Sequence, residues 1–486
     1  MTVPILPTDI MLVIFNHLSV RDVMKLRQTC KYFLEVTRLR CALLELLQIH
    51  VIRQNIPIPC LGGRDLAALT STELESCLTS ALRLRKNWTS PSPRPVRRLT
   101  FKTVPDPQSQ VVSISFLPGR GLRWLISLTL STAHGRRVYT IQCWDLMQRS
   151  TCIARRSLSD FSGFRVNTDA SHPGILMLRS SINSRFLSGI EILGIDFSVG
   201  NASSGSGFFT MQVLDGVTES LRVFTASAVL TEFDEHRLHL RSIENPDFSI
   251  ELQNPTHAEP KECIDAIISD TYAMVVRTVT VEFYSLSSFR SGLGARVIEP
   301  VAFYTWQWRV DSVSLAYQPS WNVAAGGIAA SPINMLVRYA SLFPWPVNAL
   351  HHYVFPSDES YDLRREIDAN NKPYLTSAVL IRTFASPIRL FARWDMVLGS
   401  YGTALWIDSH TEDYLDHAVE GQRLAGTLFT NMEPEELAVD LPSASAPASM
   451  VYEVREDDGW VRIAVGEEEG KIAIGTSTAE ITLLEY

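Results

Sequence analysis

The sequence predicts an α+β multidomain chain, with a small N-terminal helical module, a helical spacer and a large all-β domain. Three observations predict it. Over the first fifty residues, apolar side chains recur every three or four positions, the period of one helix face. From about residue 99 onward, short apolar runs of strand length alternate with Gly, Pro, Ser, Asn and Asp. Between them, Ser90-Pro91-Ser92-Pro93-Arg94-Pro95-Val96-Arg97-Arg98 is the strongest linker signal in the chain. The boundaries read this way are 1–50 for the helical module, 51–98 for the spacer and linker, and 99–486 for the β-domain.

A chain of 486 residues is too long for one ordinary core, unless part of it is a large repeat fold. Hydrophobic residues make up 46% and charged residues 20%, enough to bury a core. The 44 Lys and Arg against 52 Asp and Glu give a net charge of -8, which argues against a broad nucleic-acid surface. No signal peptide is expected, because the N-terminus lacks a basic stretch and Asp9 interrupts the first apolar run, and no run of roughly 18 apolar residues is present for a membrane span. Seven cysteines without a C-x-x-C pair fit scattered thiols in a reducing compartment, cytoplasmic or nuclear or both.

In the helical module, Pro7 or Thr8 starts a first helix that carries Ile10, Ile14 and Leu18. Ser19 caps a second, with Asp22 near its positive end and Val23, Leu26 and Cys30 along it. A third helix is expected from Tyr32 through Leu47. Leu6, Pro7, Ile10, Ile14, Leu18, Val23, Leu26 and Cys30 form one apolar stripe on a segment too small to bury all of it. In this order and spacing the stripe resembles an F-box, the helical module that docks a substrate receptor onto the Skp adaptor of a cullin–RING ubiquitin ligase. The resemblance covers under a tenth of the chain. Asp9 stands where the family has Glu, and Ala42-Leu43-Leu44 stands where it often has Trp. It implies that the eight stripe residues bind the adaptor, which a cullin then joins.

In the spacer, Pro57, Pro59, Gly62 and Gly63 break the chain. Thr72-Glu73-Leu74-Glu75 then opens a helix with a capping box, and Leu74, Cys77, Leu78, Ala81 and Leu82 share one face.

In the β-domain several strand-like runs end alike: Val138 to Leu146, Gly189 to Phe197, Val279 to Leu286, Thr403 to Asp408, and Ala479 to Tyr486. Their irregular spacing suits degenerate blade repeats with insertions. Trp144-Asp145 resembles the close of a WD repeat, and Trp394-Asp395 follows a weaker strand. A propeller of about seven four-stranded blades accounts for the length, and its last strand closes a blade begun elsewhere in the chain. Two consecutive β-sandwiches or barrels are the competing architecture.

Other clusters read as ordinary structure. His410, Glu412, Asp413, Asp416 and His417 match no zinc spacing and read as a solvated loop. His236 with His239, and His351-His352, read as strand histidines on alternating faces, and Glu467-Glu468-Glu469 as a solvated turn. Tyr304, Trp306, Trp308, Trp321, Phe343 and Trp345 concentrate aromatics, with Trp306 and Trp308 on one face of a strand. They read as blade packing or as a recognition surface. No G-x-S-x-G, P-loop or G-x-G-x-x-G is present.

The expectation is therefore a non-catalytic receptor, similar to large fungal F-box proteins, with no catalytic residues, metal or cofactor. Its partners are the Skp adaptor, a cullin through it, and an unidentified target protein held by the β-domain, with no nucleic acid and no membrane. A Skp-binding scaffold outside a cullin ligase, and an enzyme built on the propeller, remain the alternatives.

Overall fold

The computed structural model describes residues 6–59, 61, 64–103, 108–119, 123–133, 135–148, 150–159, 161, 163–167, 169, 172, 175–182, 187–197, 207–215, 219–225, 227–234, 237–245, 248–253, 262–292, 296–318, 330–340, 349–362, 364–388, 393–409, 421–429 and 446–486.

The helical module contains α1 (Thr8–Asn16), α2 (Val20–Arg27), α3 (Lys31–Val36) and α4 (Arg40–Leu47), which continues as a π turn over Gln48–Ile52. Pro7 precedes α1, and the Ser19 Oγ accepts the Asp22 N–H at 3.2 Å to cap α2. The single third helix expected from Tyr32 through Leu47 is two helices. The break sits at Thr37 to Leu39, and Arg27 stabilises it from α2. Its guanidinium donates to the Thr37 Oγ1 at 3.0 Å and to the Thr37 carbonyl at 3.3 Å. The Thr37 hydroxyl in turn donates to the Phe33 carbonyl at 2.6 Å. Side chains that satisfy the groups freed at a helix end let the chain turn there.

Helix α5 (Ser71–Trp88) has its capping box at Thr70, two residues earlier than expected. The Thr70 hydroxyl accepts the Glu73 N–H at 3.3 Å, and the Glu73 carboxylate accepts the Thr70 N–H at 2.9 Å. That amide, followed by Arg64 and the Thr70 hydroxyl, holds the Glu73 carboxyl down at about 2. The first half of α5 buries Leu74, Cys77, Leu78 and Ala81 against Phe15, Val23, Leu43 and Leu47 of the helical module. Its second half buries Leu84 and Trp88 in the β-domain. One helix thus belongs to two cores, and it joins them without a free hinge.

The β-domain begins with β1 (Arg97–Lys102). The first blade is β2 (Gln110–Phe116), β3 (Trp124–Ala133), β4 (Arg136–Asp145) and β5 (Thr151–Leu158). The second is β6 (Gly163–Val166), β7 (Ile175–Ile182), β8 (Leu187–Ile195) and β9 (Phe208–Asp215). The third is β10 (Ser220–Phe224), β11 (Ala228–Glu232), β12 (Arg237–Ser242) and β13 (Ser249–Gln253). The fourth is β14 (Cys263–Ile268), β15 (Tyr272–Arg277), β16 (Thr280–Ser285) and β18 (Ala302–Thr305). The short β17 (Val297–Ile298) lies parallel to β13 at the edge of the third blade. The fifth is β19 (Val310–Tyr317), β20 (Ile333–Tyr339), β21 (Ala349–Phe355) and β22 (Val379–Ala385). The sixth is β23 (Met396–Leu398), β24 (Thr403–Ser409), β25 (Gln422–Leu428) and β26 (Met450–Arg455). The seventh is β27 (Trp460–Gly466), β28 (Lys471–Thr476) and β29 (Glu480–Glu485), completed by β1.

Among the described residues these are seven sheets, and every seam between neighbours holds its own apolar cluster. Going round, the first blade packs on the second through Leu128 and Leu193, and the second on the third through Ile192 and Leu221. The third meets the fourth through Leu240 and Val275, and the fourth meets the fifth through Phe283 and Phe355. The fifth meets the sixth through Leu350 and Trp406, and the sixth meets the seventh through Leu424 and Ile474. The seventh returns to the first through Ala473 and Leu125. The ring is closed, which makes it a propeller and not two sandwiches. The closure is made in register: β1 pairs antiparallel with β29 from Arg97 opposite Glu485 to Lys102 opposite Glu480. The outermost strand of the last blade therefore comes from the start of the domain. The linker is docked as well: the Val451 N–H donates to the Pro91 carbonyl at 3.0 Å, and the Asn87 side chain bridges the Arg94 backbone.

The recurrent runs have a common position. Val138 to Leu146, Gly189 to Phe197, Val279 to Leu286 and Ala479 to Tyr486 fall on β4, β8, β16 and β29, the third strands of their blades. Thr403 to Asp408 is instead a second strand, β24. Trp144-Asp145 closes β4, where the Asp145 carboxylate caps the turn at Met147 and pairs with Arg123. Trp394-Asp395 precedes β23. The Asp395 carboxylate accepts the Ile463 N–H of the seventh blade at 2.8 Å.

Two expectations are corrected. Trp306 and Trp308 lie beyond the end of β18 and do not share a face, since Trp306 is buried and Trp308 is 55% exposed. Trp321, Phe343 and Trp345 lie outside the described residues. The Glu467 to Glu469 turn is not simply solvated. Glu467 is buried and accepts the N–H groups of Tyr401 and Thr403, both at 2.7 Å, which ties the seventh blade to the sixth. The adjacent histidines do face opposite ways: His352 is buried against Asn334, and His351 meets Thr383.

Asp395 gives a pH-dependent prediction. Burial pushes its carboxyl up to about 6, against the pull of Arg462 and of the Ile463 and Met396 amides. A carboxyl raised on folding destabilises the fold where it must ionise, so its penalty grows as pH rises from the unfolded value to the folded one, is complete above the folded value and vanishes below the unfolded one. Asp395→Asn keeps an acceptor for Ile463 and is expected to stabilise the chain at pH 7.5 by on the order of 2 kcal/mol. The gain should shrink at pH 4.5. Thermal melts of variant and parent at both values check it, and a gain that grows toward acid pH would contradict it.

Candidate functional site

Helix α1 has two apolar faces, because its sequence is apolar at more positions than one core contact needs. Met11 and Phe15 point inward and are buried with Val20, Val23, Leu43 and Leu46. Ile10 is 45% exposed and Val13 57% exposed, and Leu6, just before the helix, is 47% exposed. On a helix, residues three apart lie one above the other. Ile10 and Val13 therefore form a row on the solvent side, with Leu6 and Pro7 exposed just before the helix and Ile14 and Leu18 half-buried at the margin.

Of the eight stripe residues, the structure brings five into or beside this row: Leu6, Pro7, Ile10, Ile14 and Leu18. Cys30 is exposed at the start of α3, and Leu26 is half-buried. Val23 is fully buried in the helical core and offers nothing to a partner. The reason is geometric: Val20 and Val23 of α2 face into the helical core, while Lys25 and Arg21 face solvent. Val13 and Leu39, the latter at the break before α4, are exposed apolar residues that the stripe omits. The spacing from Ile10 to Val13 was available as a signal for the first of these.

The row is held by polar contacts at its borders. The Tyr32 hydroxyl donates to the Leu6 carbonyl at 2.5 Å, which fixes the segment before α1. The Asn16 amide donates to Glu45 at 2.6 Å, tying the end of α1 to α4. Arg27 pairs with Glu75 at 2.5 Å, tying α2 to α5. The face is therefore apolar and rigidly mounted, with Asp9 exposed beside Ile10. Such a face suits contact with another protein by burial.

The most buried ionic group is Arg277 with Glu282 at 2.8 Å, joined by the Tyr284 hydroxyl at 2.7 Å from the same carboxylate. Glu282 and Tyr284 hold the Arg277 guanidinium above its usual range against burial. All three are buried inside the fourth blade. Among the described residues no group of three His, Cys, Asp or Glu side chains is placed to hold a metal. The cluster of His410, Glu412, Asp413, Asp416 and His417 lies outside the described residues.

Comparison with known proteins bears on the N-terminal module. The F-box-like family matches residues 3–42. No curated protein sequence matches the chain. The fold is similar to a chain in a solved structure described as "Humanized mutant of the Chaetomium thermophilum Polycomb Repressive Complex 2 bound to the inhibitor GSK343". That match covers 81% of this chain and 97% of the other, at 9% identity and a TM-score of 0.48.

Proposed function

We propose that this protein, in which an F-box-like domain at residues 3–42 stands ahead of a β-propeller, is a substrate receptor of a Skp–cullin–F-box ubiquitin ligase. The observation that carries the reading is the solvent-facing row of Ile10 and Val13, with Leu6 just before it, on a domain of the adaptor-binding kind. The Skp adaptor covers that row, with Pro7, Ile14 and Leu18 at its edge, and a cullin joins through the adaptor. The propeller holds the target protein. The chain itself catalyses no step: it raises the target's effective concentration at the ubiquitin-loaded enzyme. Its place of work is the cytoplasm, the nucleus or both. Helix α5 supports this division of labour, because a helix shared by two cores keeps the target at a set angle to the ligase. Titration calorimetry of the full chain with a recombinant Skp adaptor tests the first step. Saturable binding at one adaptor per chain is expected, and the absence of both heat and co-elution would overturn the reading.

A further inference from the structure

In a propeller the C-terminal ends of the first strands of all blades lie on one face of the ring. On that face, α5 occupies the sixth and seventh blades: Trp88 reaches Thr403, and Leu84 lies against Gly470. Across the ring, a cavity of about 640 Å³ opens at the C-terminal ends of β6, β10, β14 and β19. Its mouth carries the hydroxyl residues Thr225, Ser227, Ser269 and Tyr317, and its wall carries Arg165, Arg222 and Asp265.

The charges on this wall are unevenly partnered. The Arg222 guanidinium is taken up by Glu232 at 2.8 Å and Glu262 at 3.0 Å. The Arg165 guanidinium donates to two backbone carbonyls, those of Arg222 at 2.6 Å and Phe164 at 2.9 Å. Arg222 is thus an ion-paired cation, whereas Arg165 keeps its charge on neutral partners. The Asp265 carboxylate accepts the Ala266 N–H at 2.9 Å, and among the described residues no cation lies within ion-pair distance of it. Burial lifts its carboxyl to about 6, while the Ala266 amide and the charge of Arg165 pull the other way. A desolvated carboxylate without a cation partner gains most from a ligand that brings one.

We infer that this cavity is the propeller's target site, and that it takes a lysine or arginine side chain of an extended target segment, anchored by Asp265 and framed by the hydroxyls at the mouth. The inference rests on the receptor reading above and names the class of target for it. An acidic or phosphorylated segment is disfavoured here, because the Arg222 guanidinium is paired with Glu232 and Glu262 and the charge of Arg165 is opposed by that of Asp265.

The test uses the full chain, immobilised, and three degenerate heptapeptide libraries, centred on Lys or Arg, on Glu, and on phosphoserine. Retention of the Lys/Arg library is expected, at least about tenfold above the other two, and Asp265→Asn should lower it by about the same factor. A second variant, Ser269→Lys, places a cation at the mouth and should block the library while leaving the Asp265 carboxylate in place. Binding of the recombinant Skp adaptor is measured on the same preparations. If the adaptor binds but the Glu or phosphoserine library is preferred, no library is retained, or neither variant changes Lys/Arg retention, this inference falls and the receptor reading stands. If the adaptor does not bind, the receptor reading itself falls.

Discussion

The double substitution Ile10→Asp and Val13→Asp is expected to abolish capture of the Skp adaptor and to leave the melting curve of the chain unchanged. Both side chains are about half exposed, so neither supports the helical core. Each apolar side chain buried at a contact contributes roughly 1.5–3 kcal/mol, and a carboxylate in its place adds a desolvation cost. Losing two should therefore weaken the adaptor by about two to four orders of magnitude. Val23→Asp provides the contrast. Val23 is fully buried among Phe15, Leu43 and Leu47, so a charge there should unfold the helical module itself. Capture is lost in both cases, but only the second should lower the melting temperature. A double variant that binds the adaptor with the parent's affinity would show that the exposed row is not the contact.

The second large effect concerns Trp88, at the end of α5. Its indole N–H donates to the Thr403 Oγ1 at 3.0 Å, and its carbonyl accepts the Tyr452 hydroxyl at 3.0 Å. Its ring meets Tyr452 and Tyr486 edge to face, with centroids 5.2 and 5.3 Å away. Gly470 completes the seat: its φ of +62° favours glycine, and a Cβ there would lie 2.3 Å from a Leu84 methyl. Trp88→Ala removes a buried aromatic anchor and should cost about 3–5 kcal/mol at this seam. The expected outcome is loss of coupling between the two cores, seen as separate thermal transitions and rapid proteolysis between Ser90 and Arg94. Trp88→Phe keeps ring contacts and loses the Thr403 bond, so it should cost only about 0.5–1.5 kcal/mol. A Trp88→Ala chain that still melts in one transition at the parent's temperature would contradict the shared-helix account.

Much of this architecture was legible in the sequence because each signal was local. The helix period, the Ser19 cap and the strand runs each depend on a few neighbouring residues, and all appear in the fold. The errors arose where a distant residue decided the outcome. Tyr32 to Leu47 reads as one helix until Arg27, on α2, bonds the Thr37 carbonyl and stabilises a break. Glu467 reads as a solvated turn residue until the Tyr401 and Thr403 amides of the next blade bond it. The candidate surface was half legible for the same reason. Residue type and spacing place Ile10 and Val23 on one stripe, but only packing against α4 and α5 puts Val23 inside and leaves Val13 outside. Asp265 carries no sequence signal, because its position depends on four inner strands that meet only when the ring closes.

The most direct test of the receptor role is affinity capture of the full chain from cells with and without proteasome inhibition, quantified by mass spectrometry, with Ile10→Asp/Val13→Asp in parallel. The account predicts Skp and a cullin with the parent chain and neither with the variant. It also predicts a further protein that stays with both chains and accumulates when the proteasome is inhibited or the variant replaces the parent. Capture of Skp without any cullin, with no protein accumulating under either condition, would contradict the account and leave a scaffold outside the ligase as the better description.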